Sequence, residues 1–355
     1  MSLIPATILT GFLGAGKTTV LKRILHEAHG QKIAVIENEF GEENIDSDIL
    51  VSDTTEQIIQ MSNGCICCTI REDLRATLQS LAEKKRKGEL DFDRVVIETT
   101  GLADPGPVAQ TFFMDDEVAE SYLLDAILTL VDAKHAPGQL NDRQEARRQV
   151  GFADQLFISK SELVSAPDLD ALQHRLKHMN PRAPQHLVHF GEVAIKDFFD
   201  LRGFNLNAKL DIDPDFLKAD THDHDHGHEH DHHDHDHHGE HCDHPSHDGH
   251  GRHHHVDDDV KSFVFKSDRA FDPARLEDFL GAIVNIYGPR MLRYKGVLYM
   301  KGSERKVIFQ GVHQLMGSDL GPAWAADEVK NSKLVFIGID LPKDILLQGL
   351  EQSLV

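Results

Sequence analysis

The sequence contains little cysteine, few aromatic residues and no long apolar run. Four of its 355 residues are cysteine, and Phe, Trp and Tyr together make up 6%. No apolar stretch approaches the about 20 residues of a membrane-spanning helix, so no membrane partner is predicted. The N-terminus has neither a basic region nor a signal-cleavage site, which predicts a cytoplasmic protein whose cysteines stay reduced. In that compartment, clustered cysteines favour metal or redox chemistry over a disulfide framework.

Basic stripes are also missing. The formal net charge is −22, and residues 220–259 alone carry 13 acidic residues against a single basic one, Arg252. Binding to a phosphate backbone requires clustered Lys and Arg side chains. The charge pattern therefore predicts no nucleic-acid partner.

Short apolar runs alternate with helical patterns through the first 200 residues. Strands are predicted at 4–10, 33–37, 94–98, 126–132, 154–159 and 186–189, and helices at 18–27, 72–87, 141–150 and 168–178. Strands spaced by helices predict an α/β fold with a doubly wound, mostly parallel sheet covered on both faces. The near-continuous apolar character of VVIE and AVIE is typical of such buried strands.

The rest of the chain divides into a linker and a second domain. Residues 216–259 consist largely of His and Asp with no apolar periodicity, which predicts a disordered linker. Beyond it, strands are predicted at 261–267, 296–302, 306–313 and 332–340, and helices at 274–285 and 342–352. The predicted domains are the doubly wound α/β domain (1–215), the linker (216–259) and a small α+β domain (260–355).

A phosphate-binding loop follows the first predicted strand. Its sequence, GFLGAGKT, matches G-x-x-x-x-G-K-[ST] between a strand and a helix. Glycines let backbone N–H groups close around a phosphate, the lysine reaches the β- and γ-phosphates, and the Thr18 hydroxyl would ligate Mg²⁺. The nucleotide-binding residues predicted here are Gly11, Gly14, Ala15, Gly16, Lys17, Thr18 and Thr19.

Two further segments complete the predicted nucleotide site. In VVIETTG, Glu98 would hold Mg²⁺ through water and the Gly101 N–H would sense the γ-phosphate, so the following LADPGP would respond to hydrolysis. In FISKSE, Lys160 would pack over the base and Glu162 would accept hydrogen bonds from guanine. Ser159 and Glu162 replace the Asn and Asp of the usual N-K-x-D motif, so the guanine preference is predicted from a variant of that motif.

GFLGAGKT, IENEFGE, NGCICC, ETTGLADPGP and the histidine-rich insert together resemble the CobW-like P-loop GTPases, most closely the YjiA-like members. The C-x-C-C pattern is a specific mark of that family. The resemblance covers nearly the whole chain. It implies a GTPase with slow intrinsic hydrolysis that acts as a metallochaperone or metal insertase, or that regulates zinc or cobalt supply.

The stretch NGCICCTI holds Cys65, Cys67 and Cys68. In an extended chain Cys65 and Cys67 share one face while Cys68 points away, so a single ion can meet all three only where the backbone turns, as Gly64 permits. Two or three thiolates leave a tetrahedral Zn²⁺ shell incomplete. Such a shell suits a site that must release its metal.

A carboxylate from IENEFGEEN would complete this shell, and the candidates are Glu37, Glu39 and Glu42. The segment follows the second strand, where a switch loop would respond to the γ-phosphate. Metal affinity would then be linked to the nucleotide state, and the linkage would be reciprocal. Buried structural cysteines and a redox sensor are the alternative interpretations of the cluster.

Between His222 and His255 lie 17 histidines interleaved with carboxylates. Neutral imidazoles bind Zn²⁺, Ni²⁺, Cu²⁺ or Co²⁺, so the tract is predicted to collect metal loosely. A solvating linker or a purification tag is the alternative, although a tag would be terminal and uniform. The isolated histidines His26, His135 and His313 are expected at the surface or in helices and receive no role.

The combined prediction is a GTP-hydrolysing chaperone that couples nucleotide state to metal binding and delivers the metal to a client metalloprotein. Its cofactors would be GTP/GDP, Mg²⁺ and Zn²⁺, with Co²⁺ or Ni²⁺ in place of Zn²⁺ left open, as is a homodimer. No hydrolytic base is identified, because P-loop catalysis depends on positioning and charge stabilisation. The alternatives are a metal store or buffer that uses the histidine tract, a cobalt or other-metal insertase, and a P-loop kinase.

Overall fold

The computed structural model describes residues 3–27, 30–38, 57–61, 69–201, 259–325 and 328–355. The strands are β1 (Ile4–Gly11), β2 (Ile33–Asn38), β3 (Gln57–Met61), β4 (Arg94–Glu98), β5 (Tyr122–Asp132), β6 (Gln155–Ser159), β7 (Gln185–Val188), β8 (Val260–Ser267), β9 (Met291–Leu298), β10 (Arg305–Val312), β11 (Leu315–Ala323) and β12 (Ser332–Ile339). The helices are α1 (Lys17–His26), α2 (Thr69–Arg86), α3 (Pro105–Met114), α4 (Asp116–Ser121), α5 (Ala136–Asp142), α6 (Gln144–Phe152), α7 (Ala166–Met179), α8 (Ile195–Phe198), α9 (Pro273–Tyr287) and α10 (Lys343–Gln352). Among these helices, none is both long and apolar enough to cross a membrane.

The first seven strands form one parallel sheet in the order β3-β2-β4-β1-β5-β6-β7. All residues of β4 and β6 are buried, as their apolar sequences predict for strands covered on both faces. The chain reverses its direction of travel across the sheet next to β1, so the carboxyl ends of β1 and β4 border a crevice. The α/β, mostly parallel fold expected from the sequence is confirmed.

One apolar layer holds helix α1 against this sheet. Val20, Leu21 and Ile24 lie on one side of α1 and pack with buried residues of β1, β2, β4 and β5. Phe157 of β6 extends the same layer and stacks with Phe198 at 6.3 Å between ring centroids. Burial of these side chains anchors the helix whose N-terminus forms the phosphate loop.

A buried arginine joins the amino ends of the central strands. Arg94 begins β4 and is 2% exposed. Its guanidinium lies 3.5 Å from the Asp125 carboxylate, contacts Asp200 and stacks 4.1 Å over the Phe199 ring. The cation is thus neutralised and covered at the edge of the sheet opposite the phosphate loop.

The C-terminal part forms an antiparallel sheet in the order β11-β10-β9-β12-β8. Helices α9 and α10 cover one face through Leu276, Leu280, Leu346 and other buried apolar residues. Tyr294 of β9 lies in this core and its hydroxyl donates to the carbonyl of Leu315 at 2.9 Å. The small α+β unit predicted after the linker is therefore built around an aromatic core.

Helix α6 joins the two sheets. At Gly151 an added Cβ would lie 2.7 Å from Leu292 Cδ1 of β9, so only glycine lets the helix approach this closely. Arg293 of β9 donates to the carbonyl of Phe152 at 3.0 Å and pairs with Asp154. Arg147 of α6 pairs with Asp259, directly before β8. Packing and ion pairs together attach the C-terminal sheet to the helix.

Several predicted elements differ from the structure. The helix expected at 141–150 is broken, because Arg143 is extended (φ −127°) and the Arg147 side chain satisfies the carbonyl groups of Leu140 and Asn141 at the end of α5. The strand expected at 296–302 is observed at Met291–Leu298: it begins five residues earlier and ends four residues earlier, where its pairing with β10 ends. Strands β3 and β11 and helices α3 and α4 were not anticipated.

Candidate nucleotide and metal site

The phosphate loop connects β1 to α1 at the carboxyl edge of the parallel sheet. Gly16, the residue before α1, has φ +99°, a left-handed conformation that glycine adopts without strain. At Gly11, φ is +143° and an added Cβ would lie 2.4 Å from the Leu130 carbonyl oxygen. Glycine at these positions lets the loop turn tightly against β5. The backbone N–H groups at the start of α1 then face the crevice, where an anion would meet the positive end of the helix dipole.

The two polar residues that open α1 are already oriented by the protein. Lys17 is buried, and its Nζ donates to the carbonyl oxygen of Gly11 at 2.9 Å and of Phe12 at 3.4 Å. Thr18 Oγ1 donates to Glu98 Oε1 at 2.9 Å. Of the loop's other predicted residues, Gly14 and Thr19 are exposed, whereas Ala15 is buried. The lysine ammonium thus lies over the loop where phosphates would enter.

Glu98 connects the phosphate loop to the second strand. It ends β4, is 9% exposed, and is paired in register with Glu37 of β2. Adjacent in-register residues of parallel strands project to the same face of the sheet, about 4.8 Å apart. The predicted Mg²⁺ residues and one predicted metal-ligand carboxylate therefore lie side by side. A hydroxyl next to a carboxylate supplies the oxygen donors that Mg²⁺ prefers, so this pair fits the ion.

The segment after β4 packs directly on the phosphate loop. At Gly101 an added Cβ would lie 2.6 Å from the backbone nitrogen of Leu13. Helix α6 holds the segment from the other side, since Gln149 Nε2 donates to the carbonyl of Gly101 at 3.2 Å and of Ala103 at 3.0 Å. Any shift of this segment must therefore move against both the loop and α6.

Helix α3 begins directly after this segment. Asp104 caps α3 by accepting from the Gly106 N–H at 2.9 Å, and it also accepts from Arg148 of α6 at 2.5 Å. The start of α3 is therefore tied to the same helix that carries the C-terminal sheet. This cap extends the contact between the post-β4 segment and α6.

The predicted base-recognition residues flank the other end of the phosphate loop. Lys160 Nζ donates to the carbonyl of Gly14 at 2.8 Å and to Asp132 Oδ2 at 2.6 Å. Ser159 Oγ donates to the carbonyl of Ala15 at 2.7 Å, so the hydroxyl ties β6 to the loop. The Glu162 carboxylate is 41% exposed and faces His189 Nδ1 at 3.6 Å. The structure thus holds Ser159 and Lys160 against the phosphate loop, and Glu162 follows two residues after Lys160.

Asp132 is a buried carboxylate that the sequence analysis missed. It ends β5, is 1% exposed, and its Oδ2 lies 2.8 Å from His135 Nδ1 as well as contacting Lys160. Burial alone would raise the pKa of Asp132, but hydrogen bonds from Lys160 and His135 outweigh this effect and lower the pKa. The carboxylate therefore stays charged and fixes Lys160. A polar residue closing an otherwise apolar strand was the available signal.

The expectation for His313 is wrong. It is neither a surface nor a helix residue: it is 8% exposed, lies between β10 and β11 with φ +52°, and contacts the Phe152 ring at 5.2 Å. At Gly106, an added Cβ would lie 2.5 Å from His313 Nε2. Burial lowers the pKa of His313. The neutral ring thus joins the C-terminal sheet to the start of α3.

The predicted thiol site lies outside the described residues. Cys65, Cys67, Cys68, Glu39, Glu42 and the tract from His222 to His255 all fall there. Within the described ranges, no group of three or more His, Cys, Asp or Glu side chains could hold a metal ion. Of the predicted Zn²⁺ ligands, the described part of the chain contains Glu37.

Comparisons with known proteins cover both sheets. The family model "CobW/HypB/UreG, nucleotide-binding domain" matches residues 5–186, and the model "Cobalamin synthesis protein cobW C-terminal domain" matches residues 260–354. The first match contains the phosphate loop, Glu98 and the SKSE segment. The second contains the antiparallel sheet.

Individual relatives align over nearly the full length. Zinc chaperone YjiA of Escherichia coli is 38% identical over 348 residues, 97% of this chain and 96% of the relative. Zinc chaperone CobW of Sinorhizobium is 30% identical over 364 residues, 95% of this chain and 93% of the relative. The crystal structure of the Zn(II)-bound YjiA GTPase from E. coli superimposes with a TM-score of 0.74 at 33% identity and covers 99% of both chains.

Proposed function

This chain belongs to the CobW/HypB/UreG family, and we propose that it is a GTP-hydrolysing zinc chaperone. In this proposal it hydrolyses GTP slowly in the cytoplasm and passes Zn²⁺ to a client metalloprotein. The names of two full-length relatives as zinc chaperones support zinc as the cargo. The client is proposed to dock on the C-terminal α+β unit.

The observation that carries the proposal is the position of Glu98. On one side it accepts a hydrogen bond from Thr18 of the phosphate loop, and on the other it is in register with Glu37. A change at the phosphate end of the crevice therefore reaches a proposed zinc ligand across a single strand spacing, about 4.8 Å. Such proximity allows GTP and Zn²⁺ to influence each other's affinity.

In the proposed mechanism, backbone N–H groups from Gly14 to Thr19 bind the phosphates and Lys17 neutralises the β/γ oxygens. Thr18 and Glu98 would hold Mg²⁺, which supplies charge neutralisation on the phosphates when bound. Lys160 and Glu162 orient the base. The Gly101 N–H contacts the γ-phosphate, so hydrolysis releases the segment that Gln149 and Arg148 hold against α6.

Zinc is the cargo of this cycle. We assign its thiolate ligands to Cys65, Cys67 and Cys68, with Glu37 or Glu42 completing the shell. A carboxylate on a strand that responds to nucleotide makes the shell tight in one state and incomplete in the other. The histidine tract would supply loosely held ions to this site.

The test is a Zn²⁺ titration of the full chain with a non-hydrolysable GTP analogue, with GDP and without nucleotide. We expect one tight ion whose affinity differs at least about tenfold between the two nucleotide states, a coupling of about 1.4 kcal/mol. In a variant with all three clustered cysteines changed to Ala, the tight ion should be lost while the loose ions of the histidine tract remain. Equal zinc affinities in all nucleotide states would refute the proposal.

A further inference from the structure

Phe190 is an exposed aromatic residue in a strained loop. It lies in the turn after β7, its relative exposure is 83%, and its backbone has φ +49°. A left-handed backbone is uncommon for a bulky residue, and an exposed phenyl ring gains nothing from core packing that would offset it. Such a residue is expected where its ring has a ligand.

The two neighbours of Phe190 both contact the crevice. His189 Nδ1 lies 3.6 Å from Glu162 Oε2. Gly191 has φ +81°, and an added Cβ would lie 3.1 Å from the Thr19 carbonyl oxygen. Phe190 therefore lies in the chain between a contact to the Glu162 carboxylate and a contact to the first turn of α1. Its position is fixed from both sides.

Lys160, two residues before Glu162 in the chain, supplies a second apolar surface at the predicted base site. Its ammonium is held by the Gly14 carbonyl and Asp132, so its aliphatic stem is fixed beside the phosphate loop. The stem is apolar and Phe190 offers an aromatic face. A flat heterocycle is the ligand whose two faces match such a pair.

We propose that Phe190 stacks on the guanine base of the bound nucleotide, so that the base lies between the phenyl ring and the Lys160 stem. This inference rests on the proposed nucleotide function. Stacking contributes affinity for any purine, because every base presents a π-face. Glu162 would contribute selectivity for guanine through the exocyclic amine. Affinity and base selectivity therefore come from different residues of neighbouring loops.

The first measurement is the affinity of full-length variants for GDP and for IDP, which lacks the exocyclic amine. Phe190→Ala should bind both nucleotides about tenfold more weakly, whereas Phe190→Tyr should bind both like the wild type. Glu162→Gln should weaken GDP more than IDP. In GTP hydrolysis, Phe190→Ala should raise KM and leave kcat unchanged, because stacking is the same in the ground and transition states.

Two variants separate stacking from loop damage. Phe190→Asn suits the left-handed backbone, so it should keep or raise the melting temperature while losing the same affinity as Phe190→Ala. Ile286→Ala, at a 68% exposed apolar residue of α9, should change neither affinity nor KM. Phe190→Trp should show a new fluorescence signal that GDP quenches, against the constant background of Trp324, the one tryptophan of the chain.

The outcomes identify which idea fails. If the wild type binds neither GDP nor IDP, both the proposed function and the stacking proposal are overturned. If the wild type binds GDP and Phe190→Ala binds it equally well, the stacking proposal alone is overturned. A loss in Phe190→Ala confined to GDP would mean that the residue acts through Glu162, which also overturns stacking.

Discussion

Changing Gly101 to Ala should weaken the binding of a GTP analogue and leave GDP affinity nearly unchanged. The added Cβ would lie 2.6 Å from Leu13 N and 2.7 Å from both Leu13 Cα and Cδ2. An ordinary contact begins near 3.4 Å, so the loop and the post-β4 segment must move apart by about 0.8 Å. The main obstacle is backbone, which cannot rotate away as a side chain can. Gln149 resists the movement because it holds the Gly101 carbonyl from the other side.

Overpacking of this kind costs about 1–3 kcal/mol. If the strain remains in the free protein, the melting temperature should fall by about 2–8 °C. Because the proposed contact of Gly101 is with the γ-phosphate alone, GDP affinity should change little. Affinity for a GTP analogue should fall about 5- to 160-fold, the same energy expressed as a binding ratio.

The assay is direct titration of both nucleotides, together with thermal unfolding of the same preparations. Gly281→Ala is the matched control, because Gly281 lies inside α9 and an added Cβ meets nothing within 4 Å. That variant should gain about 0.5–1 kcal/mol of stability and bind both nucleotides like the wild type. An unchanged ratio of GTP-analogue to GDP affinity in Gly101→Ala would refute the assigned role of this residue.

Three further predictions concern magnesium, the buried arginine and His313. Glu98→Gln should raise the Mg²⁺ concentration needed for half-maximal GTP hydrolysis at least about tenfold, whereas Glu162→Gln should leave it unchanged. An unchanged Mg²⁺ requirement in Glu98→Gln would show that Glu98 does not hold the ion. Arg94→Met removes the guanidinium beside the buried Asp125 carboxylate and should lower the free energy of urea unfolding by about 3–5 kcal/mol. The control Lys87→Met, in an exposed ion pair, should lower it by less than about 0.5 kcal/mol. Similar losses in the two variants would contradict the role of Arg94 in neutralising Asp125. Burial lowers the pKa of His313 from its usual value of 6.5. As the pH falls, the unfolded chain therefore takes up a proton at this residue before the folded protein does, and stability falls below about pH 6.5. His313→Gln should flatten that fall between pH 7.5 and 5.5, and an equally steep fall would rule out His313 as its cause.

The elements predicted correctly are those whose signals are local. The β4 strand at Arg94–Glu98 was predicted with its observed bounds, because a run of apolar residues buried on both faces needs no partner to be recognised. The break at Arg143 was missed because the Arg147 side chain, four residues later, satisfies the end of α5. Strand β11 was missed because it lies at an edge and is largely exposed, so its apolar pattern is weak.

At the nucleotide site, too, residues with a local sequence signal were predicted and residues defined by tertiary contacts were missed. Two separate motifs predicted that Thr18 and Glu98 hold Mg²⁺, and the register of β1 and β4 brings them into contact across 80 residues of sequence. Asp132 carries no motif, and its role depends on Lys160 approaching from the next strand of the sheet. The position of Phe190 likewise depends on two loops that meet only after folding.

For this protein, the spacing of residues along the chain was enough to identify the phosphate loop, the cysteine cluster, the histidine tract and the α/β class. Each is a short pattern whose chemistry follows from covalent neighbours and residue type. The pairing of Glu37 with Glu98, the buried state of His313 and the attachment of α6 to both sheets were decided only by the tertiary structure. The physical reason is that these contacts join distant parts of the sequence: Glu37 and Glu98 are 61 positions apart, and Arg147 and Asp259 are 112 positions apart. Only packing of the sheets brings them within reach.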